Sequence, residues 1–478
     1  MLDRIGITGD GVLIRNVRVL DVRKGVLREP ANVLVSGAIL KNLNAAEAPA
    51  GWGEIDGCGH TMIPGLINCH SHILSPFVSE QKGFLGAWAI RQMHRNLEAT
   101  LAAGVVCVRD MLSPIKVMNM VRGKISSGKL IGPEIVAAGA VLSCRDGYPE
   151  FITPLPFPLS AIIGQPKLNL HSPKKAEAMV RYLHRCGAEV AKIGYTSFSR
   201  EFYDQQRMPT ITRDVFKAIC DTAHELGMTV SVHHNWSEDL NTILRADIDS
   251  LEHLIFDREI TEGEVQAIKT QGIKVVPTLT VTDSMARFEE KLGFLQSDRA
   301  KEMFEERARQ HLLFIASTWL DFKDESYHAS FGHWRANRRN YAWVENSARI
   351  LHEGGVQMLA GTDLGAVVAF PGELADEIKR LHHIGMSKLD AIRSATLDAA
   401  RLVNRENRLG SVEPGKLANV ALVEGNPLED LDALRRVRLV GKNGEWFRPK
   451  HQELPDFWPG FSPLFEPPGK DWKLPVHK

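Results

Sequence analysis

Short apolar runs of strand length alternate with longer helical patterns through the middle of the chain. Helical periodicity is visible in residues 174–186, 213–226, 262–270 and 337–353, among others. Strands that alternate with helices are typical of a parallel sheet, and eight such units favour a closed barrel whose active site forms at the carboxyl ends of the strands. The eight predicted strands are 62–67, 105–108, 134–138, 190–193, 229–232, 250–251, 275–276 and 358–360.

The two ends of the chain carry a different pattern. Residues 12–20, 31–35, 418–423 and 437–440 alternate apolar and polar positions, with Gly and Asn between the runs. This pattern predicts short antiparallel strands. We therefore expect an α/β protein in which a (β/α)8 TIM barrel spans residues 61–405, while residues 1–60 and 406–450 pair into one composite β-sandwich domain.

Two segments fall outside this scheme. Residues 285–335 are helical in character and form an insertion between the seventh and eighth strands; we expect its aromatic side chains to pack in the core, with a lid or an oligomer contact as alternatives. Residues 451–478 are rich in proline and aromatic residues, which exclude a regular helix. This tail is expected to wrap over a surface or over a neighbouring subunit of a homo-oligomer.

Composition and charge limit the classes of molecule that this protein is expected to bind. The 58 basic and 58 acidic residues balance, so nothing indicates a nucleic-acid partner or a membrane surface. The amino terminus has no signal-peptide pattern, and no apolar window reaches the length of a membrane span. The six scattered cysteines include no Cys-x-x-Cys pair and indicate reduced thiols. We expect a cytoplasmic protein that acts on a small molecule.

Candidate chemistry begins at the first strand, where His70 and His72 are separated by one residue. Residues i and i+2 of a strand point to the same side, so both imidazoles can bind one divalent metal ion. An isolated His-x-His is more often a polar strand end. Further ligand-type residues downstream favour the metal site here.

Four of the later predicted strands contain, or are followed by, a residue of a type that can bind a metal ion. Lys192 lies inside an apolar run, where burial lowers the pKa of an amine and makes its neutral form available for carbamate formation. The fifth strand ends in His233 and His234, of which regular geometry allows one to be a ligand; we choose His233. His253 and Asp363 follow the sixth and eighth strands. Together these side chains are sufficient to hold two metal ions.

At this point the chain resembles the amidohydrolase superfamily over about residues 11–445. The resemblance rests on Pro64-Gly65-Leu66-Ile67-Asn68-Cys69-His70-Ser71-His72, Gly104-Val105-Val106-Cys107-Val108-Arg109-Asp110, Lys192, His233, Asp249-Ser250-Leu251-Glu252-His253, Pro277-Thr278, Gly361-Thr362-Asp363, Ala395-Thr396-Leu397-Asp398-Ala399-Ala400 and Gly410-Ser411-Val412-Glu413-Pro414-Gly415-Lys416. The chain is most similar to the branch with Xaa-Pro dipeptidases, metal-dependent carboxypeptidases, ochratoxin-type amidases and hydrolases of phenylureas and carbamates.

The resemblance implies a distorted barrel and hydrolysis by a metal-bridging hydroxide. It implies that His70 and His72 bind the more buried metal ion and that His233 and His253 bind the second. N6-carboxylated Lys192 would bridge the two ions, and Asp363 would bind the first and transfer protons. Zn²⁺ is the expected metal, with Co²⁺ or Mn²⁺ as alternatives.

The chain departs from its dipeptidase-like relatives after the third strand. Their Gly-Gly-His-Gly-Asp-type segment is replaced by residues 142–150, so a substrate-side histidine is missing and Tyr148 stands in its region. Tyr148, Tyr195 and His234 are the candidate substrate residues.

The expected activity is cleavage of a C–N bond in an amide, urea or carbamate, including N-acyl amino acids and xenobiotics. A dipeptidase or carboxypeptidase is one alternative. A mononuclear deaminase or imidazolone-type ring hydrolase is another, which Glu252 keeps open. A scaffold without activity is the third, and the filled ligand positions argue against it.

Overall fold

The computed structural model describes residues 1–7, 9–75, 77, 87–149, 164, 169–198, 207–318, 334–366, 368–451 and 453–457. Among them, no helix combines the length and the apolar character that crossing a membrane requires. All six cysteines are free thiols.

One ten-stranded sheet contains strands from both ends of the chain. Leu2–Ile5 pairs antiparallel with Glu445–Pro449, and Val420–Val423 pairs antiparallel with Thr61–Pro64. A separate buried cluster under this sheet includes Val12 and Trp446. The division into a β-sandwich domain stays a prediction. The strands are β1 Leu2–Ile5, β2 Gly11–Asp21, β3 Val26–Leu27, β4 Ala31–Ser36, β5 Ile39–Asn42, β6 Gly53–Asp56, β7 Thr61–Pro64, β15 Val420–Val423, β16 Val437–Lys442 and β17 Glu445–Pro449.

The first predicted barrel strand, 62–67, was wrong, because two strands of different sheets meet there. β7 belongs to the ten-stranded sheet, and a new strand begins at Leu66, directly after Gly65. A Cβ atom on Gly65 would lie 2.3 Å from Val106, so only glycine fits this crossing.

The middle of the chain forms two parallel sheets, as its alternating pattern predicts. The three-stranded sheet has the order β10-β9-β8 and the four-stranded sheet the order β11-β12-β13-β14. These strands are β8 Leu66–Ser71, β9 Val105–Asp110, β10 Glu134–Ala137, β11 Val190–Gly194, β12 Thr229–His233, β13 Ser250–Glu252 and β14 Lys274–Val276.

Within the described part of the chain, these strands do not form one closed barrel. The predicted eighth strand makes a single parallel bridge, from Met358 to Val275, and Leu364 beyond it makes another, to Ser71. Asp363, with φ 58°, interrupts the extended backbone between them. A third bridge, from Leu142 to Ile193, joins the two parallel sheets.

Helices follow most of the parallel strands. The described residues of the insertion after β14 are mostly helical, in agreement with their helical character in the sequence. Its Phe304 is buried, whereas Phe314 is exposed, and Trp319 and Phe322 lie outside the described residues. The helices are α1 Ala87–Ala102, α2 Ile115–Ser126, α3 Pro173–Arg185, α4 Arg213–Glu225, α5 Ser237–Ile243, α6 Glu262–Thr270, α7 Leu279–Ala286, α8 Leu292–Gln296, α9 Asp298–Met303, α10 Glu306–Thr318, α11 Trp334–Glu353, α12 Leu374–His383, α13 Lys388–Ser394 and α14 Leu397–Leu402, with 3-10 turns at Phe288–Lys291 and Leu431–Arg435.

Candidate active site

Three ligand-type side chains from distant parts of the sequence meet in the interior. One ligand atom each from His70, His253 and Asp363 lies within 4.8 Å of the others, and all three side chains are buried. His70 lies near the end of β8, and His253 directly follows β13. The group offers two imidazoles and a carboxylate, a donor set that suits a divalent cation.

The other predicted ligands lie around this group. The Nε2 atom of His72 is 2.9 Å from Oδ1 of Asp363. The ring centroid of His233 is 4.7 Å from that of His253. Lys192, in the middle of β11, is close enough for its charge to lower the pKa of His70. The structure therefore brings the six predicted residues into one region, whereas their individual roles as ligands stay predictions.

The environments of His70 and His72 shift the pKa values of the two imidazoles in opposite directions. Burial and the charge of Lys192 lower the pKa of His70 to about 4, so this imidazole is neutral at pH 7. Burial also tends to lower the pKa of His72, but the hydrogen bond and charge of Asp363 outweigh this effect and raise it. A metal ion in this site would therefore compete with a proton at His72.

Lys192 carries a buried amine in the middle of β11. Its Nζ atom has no hydrogen-bond partner among the described residues, although the side chain is buried. Burial lowers the pKa of Lys192 to about 7, so a large part of the amine is neutral near physiological pH. An unpaired buried amine costs free energy unless a further group satisfies it.

The backbone is strained where the site residues leave their strands. His253, Thr278 and Asp363 have φ values of 69°, 50° and 58°, which side-chain-bearing residues rarely adopt. The Nδ1 atom of His253 is 2.7 Å from the hydroxyl oxygen of Thr278. Strained residues cluster at functional sites because the surrounding structure must hold them there.

Asn68 connects the two chain segments that carry His70 and Asp363. Its Oδ1 accepts hydrogen bonds from the backbone N–H of His70 at 3.2 Å and of Thr362 at 3.1 Å. Its Nδ2 donates to the Thr362 hydroxyl at 2.8 Å. The backbone N–H of Asp363 also donates to the carbonyl of His70 at 3.0 Å. These bonds fix the relative position of an imidazole and a carboxylate of the site.

The three candidate substrate residues occupy different environments. The ring of Tyr148 stacks on His233 with centroids 3.9 Å apart and an interplanar angle of 10°. Tyr195 is 7% exposed and packs on Phe216 of α4. His234 lines a small chamber with apolar side chains such as Leu251 and Ile268, and burial lowers its pKa to about 4. Tyr148 therefore contacts the His233 ring, whereas Tyr195 contacts His233 through a backbone hydrogen bond of 3.0 Å.

The sequence assigned no role to Arg109, and it involved Glu252 only as the residue that keeps a mononuclear deaminase open as an alternative. Both side chains are fully buried and form an ion pair below the site. Burial alone would raise the pKa of Glu252, but the charges of Arg109 and Lys192 hold it well below its ordinary value. The signal was present, because a charged residue inside an apolar strand requires a buried partner.

Comparisons with known proteins identify a family and a shared fold. A family model described as the amidohydrolase family matches residues 61–447. An uncharacterized protein of Mycobacterium tuberculosis is 24% identical over 391 residues, which are 82% of this chain and 86% of that protein.

Solved structures share the fold. A Xaa-Pro dipeptidase crystallised with methionine in its active site has a TM-score of 0.71 at 24% identity, covering 92% of this chain and 100% of the other. The ochratoxinase of A. niger and phenylurea hydrolase B each have a TM-score of 0.69 at 21% identity; the matches cover 92% and 91% of this chain and 96% of each of those chains.

Proposed function

Because the chain belongs to the amidohydrolase family, we propose that it is a metal-dependent hydrolase that cleaves the C–N bond of an amide, urea or carbamate in a small molecule. The observation that carries this proposal is the buried group of His70, His253 and Asp363, whose ligand atoms lie within 4.8 Å of one another. The structures of a phenylurea hydrolase and an ochratoxinase with the same fold support this substrate range.

The proposed centre holds two divalent ions, with Zn²⁺ first and Co²⁺ or Mn²⁺ as alternatives. His70, His72, His233, His253 and Asp363 would hold them, together with N6-carboxylated Lys192. The buried amine of Lys192, which has no hydrogen-bond partner among the described residues, fits this modification. In its formation, the neutral nitrogen bonds to the carbon of CO₂ and releases a proton to solvent. When bound, the ions supply a water of lowered pKa and polarise the substrate carbonyl.

Asp363 is the proposed proton carrier. Its Oδ1 atom, 2.9 Å from Nε2 of His72, is held by that contact and by the strained backbone at this residue. A carboxylate fixed in this way can accept a proton from the attacking water and deliver it to the leaving nitrogen. Tyr148, stacked on His233, is the proposed contact to the substrate.

Two alternatives remain part of the test. The fold shared with a Xaa-Pro dipeptidase favours a dipeptidase or carboxypeptidase as the second candidate. The geometry of Glu252 argues against a mononuclear deaminase with this residue as its base. Its carboxylate already accepts hydrogen bonds from two serine hydroxyls and Arg109, and it contacts His70.

The same proposal includes the finer architecture. We infer that the two parallel sheets and residues 358–364 together make a distorted (β/α)8 barrel. The three single bridges, from Leu142 to Ile193, from Val275 to Met358 and from Ser71 to Leu364, support this inference.

A hydrolysis screen on metal-loaded protein tests the activity. Metal-free protein is reconstituted with Zn²⁺, Co²⁺ or Mn²⁺, and the ions per chain are measured by mass spectrometry. Hydrolysis is followed on N-acyl amino acids, dipeptides, aryl amides, phenylureas and carbamates. We expect two ions per chain and turnover of at least one non-peptide class. Turnover of dipeptides alone would favour the peptidase, and one ion per chain would favour a mononuclear enzyme.

Asp363→Asn is the critical variant in this screen. It is expected to retain most of the metal and to lose about 10²- to 10⁴-fold in kcat, the usual contribution of a proton-transferring group. Asp221→Asn on the exposed face of α4 is the matched control and should behave as the unmodified protein. Full activity of the Asp363→Asn variant would contradict the proposed role of Asp363 in proton transfer.

A further inference from the structure

The carboxylate of Glu252 is the meeting point of several buried polar groups. Its Oε1 accepts hydrogen bonds from the hydroxyls of Ser231 at 2.6 Å and Ser250 at 2.8 Å, and from Nη2 of Arg109. Its Oε2 lies 2.7 Å from Nδ1 of His70. These groups come from strands β8, β9, β12 and β13, so the carboxylate joins four strands directly below the candidate centre.

Arg109 is fixed as firmly as Glu252. Its Nε donates to the backbone carbonyl of Cys69 at 2.7 Å, next to His70, and its Nη1 donates to the Ser250 hydroxyl at 3.2 Å. Both side chains of the pair are 0% exposed. Burial of two charges is costly, and replacing such a pair with apolar residues is often neutral or stabilising. A contribution to folding stability therefore does not explain this ion pair, which indicates a further role.

We infer that Glu252, held by Arg109, is a positioning residue that keeps His70 in the tautomer with the proton on Nδ1. A carboxylate can only accept hydrogen bonds, so the 2.7 Å contact requires His70 to donate from Nδ1. The lone pair of Nε2 then faces the centre, where this atom lies 3.4 Å from Oδ1 of Asp363. Carboxylate partners of this kind typically contribute 10- to 100-fold to metal affinity. The expected effect on metal affinity rests on the proposed function. The tautomer of His70, in contrast, can be observed in the metal-free protein.

Paired substitutions separate positioning from stability. Glu252→Leu with Arg109→Met removes both buried charges and the acceptor for His70. Glu252→Gln with Arg109→Met also removes both charges but keeps an amide oxygen that can accept from Nδ1. We expect the double variant with Glu252→Leu to bind Zn²⁺ about 10- to 100-fold more weakly than the unmodified protein. The double variant with Glu252→Gln should bind Zn²⁺ almost as tightly as the unmodified protein. Affinity is measured by competition with a chelating dye.

A matched control uses the ion pair of Glu134 and Arg405 at the amino ends of the strands, where the oxygen–nitrogen distance is 2.6 Å. Glu134→Gln with Arg405→Met should leave Zn²⁺ affinity unchanged. Equal Zn²⁺ affinity of the Leu-containing pair and the unmodified protein would overturn the inference.

Nitrogen-15 NMR of labelled histidines in the metal-free, unmodified protein is the second measurement, and it needs no variant to fold. A proton on Nδ1 of His70 is expected, and a proton on Nε2 would overturn the inference. If the unmodified protein takes up no metal, the proposed function fails, while this spectrum still decides the role of Glu252.

Discussion

At the residue scale, this site depends on charged and polar side chains that are buried far from water. Such groups are stable in the interior only when hydrogen bonds or opposite charges compensate them. Asn68 forms hydrogen bonds to two backbone segments, and Arg109 pairs with Glu252. Several buried polar atoms have no hydrogen-bond partner among the described residues, and the Nζ atom of Lys192 is one of them. Because a buried amine without a hydrogen bond costs free energy, this observation is the residue-scale reason to propose that Lys192 carries a further chemical group.

The pH dependence of stability tests the burial of Lys192 in metal-free protein. Its pKa is lowered to about 7, so between pH 7 and about 10.4 the unfolded chain binds a proton that the folded chain does not. The stability that this residue contributes therefore rises with pH across that window. Lys192→Met should raise the free energy of unfolding by on the order of 4 kcal/mol at pH 7, and this gain should shrink towards pH 10.

Denaturant unfolding at a series of pH values measures this difference. Lys175→Met on α3 is the control, because Lys175 is exposed and its replacement should change stability by less than about 0.5 kcal/mol at every pH. A pH-independent effect of Lys192→Met would contradict the burial of a titrating amine.

At the scale of elements, close backbone contacts place the site residues. A Cβ atom on Gly361 would lie 2.9 Å from the backbone nitrogen of His70 and 2.5 Å from a methyl group of Val276. A Cβ atom on Gly194, the last residue of β11, would lie 2.3 Å from the carbonyl oxygen of Tyr148. Glycine at these positions lets neighbouring segments approach closely enough for their side chains to meet.

Gly361→Ala tests this close approach. The added methyl group must push the segment that carries Asp363 away from β8, which we expect to cost about 1–3 kcal/mol in the free energy of unfolding and to lower kcat. Chemical unfolding and steady-state kinetics measure the two effects. Gly293→Ala is the control, since a Cβ atom there has no neighbour within 4 Å. Equal stability and kcat for both variants would show that the segments need no such contact.

At the scale of the whole molecule, residues 453–457 attach the end of the described chain to its interior. The carbonyl of Leu454 accepts a hydrogen bond from Nη2 of Arg435 at 2.7 Å. The ring of Phe457 makes edge-to-face contacts with Phe294 at 4.8 Å and with Phe370 at 5.6 Å between centroids. These contacts concern the first residues of the tail, and the wrapping of the tail over a surface stays a prediction.

Phe457→Ala should lower the free energy of unfolding by about 1–3 kcal/mol, because two ring contacts and apolar burial are lost. The shift of the denaturant midpoint measures it. Phe314→Ala removes a ring that is 44% exposed and should change stability little. A neutral effect of Phe457→Ala would show that the segment contributes no stability to the fold.

Local periodicity explains why much of the architecture could be predicted from the sequence. The helix at Glu262–Thr270 and the strands β9 to β14 lie within a few residues of their predicted positions. The boundary at Gly65 was missed because β7 and β8 are one apolar run in the sequence, and only pairing assigns them to different sheets.

The sequence by itself determined the order of strands and helices, the family resemblance, and the candidate ligands, because each depends on local patterns and on residue types at fixed spacings. The tertiary structure alone decided which groups meet. It placed Glu252 and Arg109 beneath His70, directed His234 into an apolar chamber and packed Tyr195 on Phe216. The physical reason is that a buried hydrogen bond or ion pair depends on distances between residues far apart in sequence, and strand alternation cannot specify those distances.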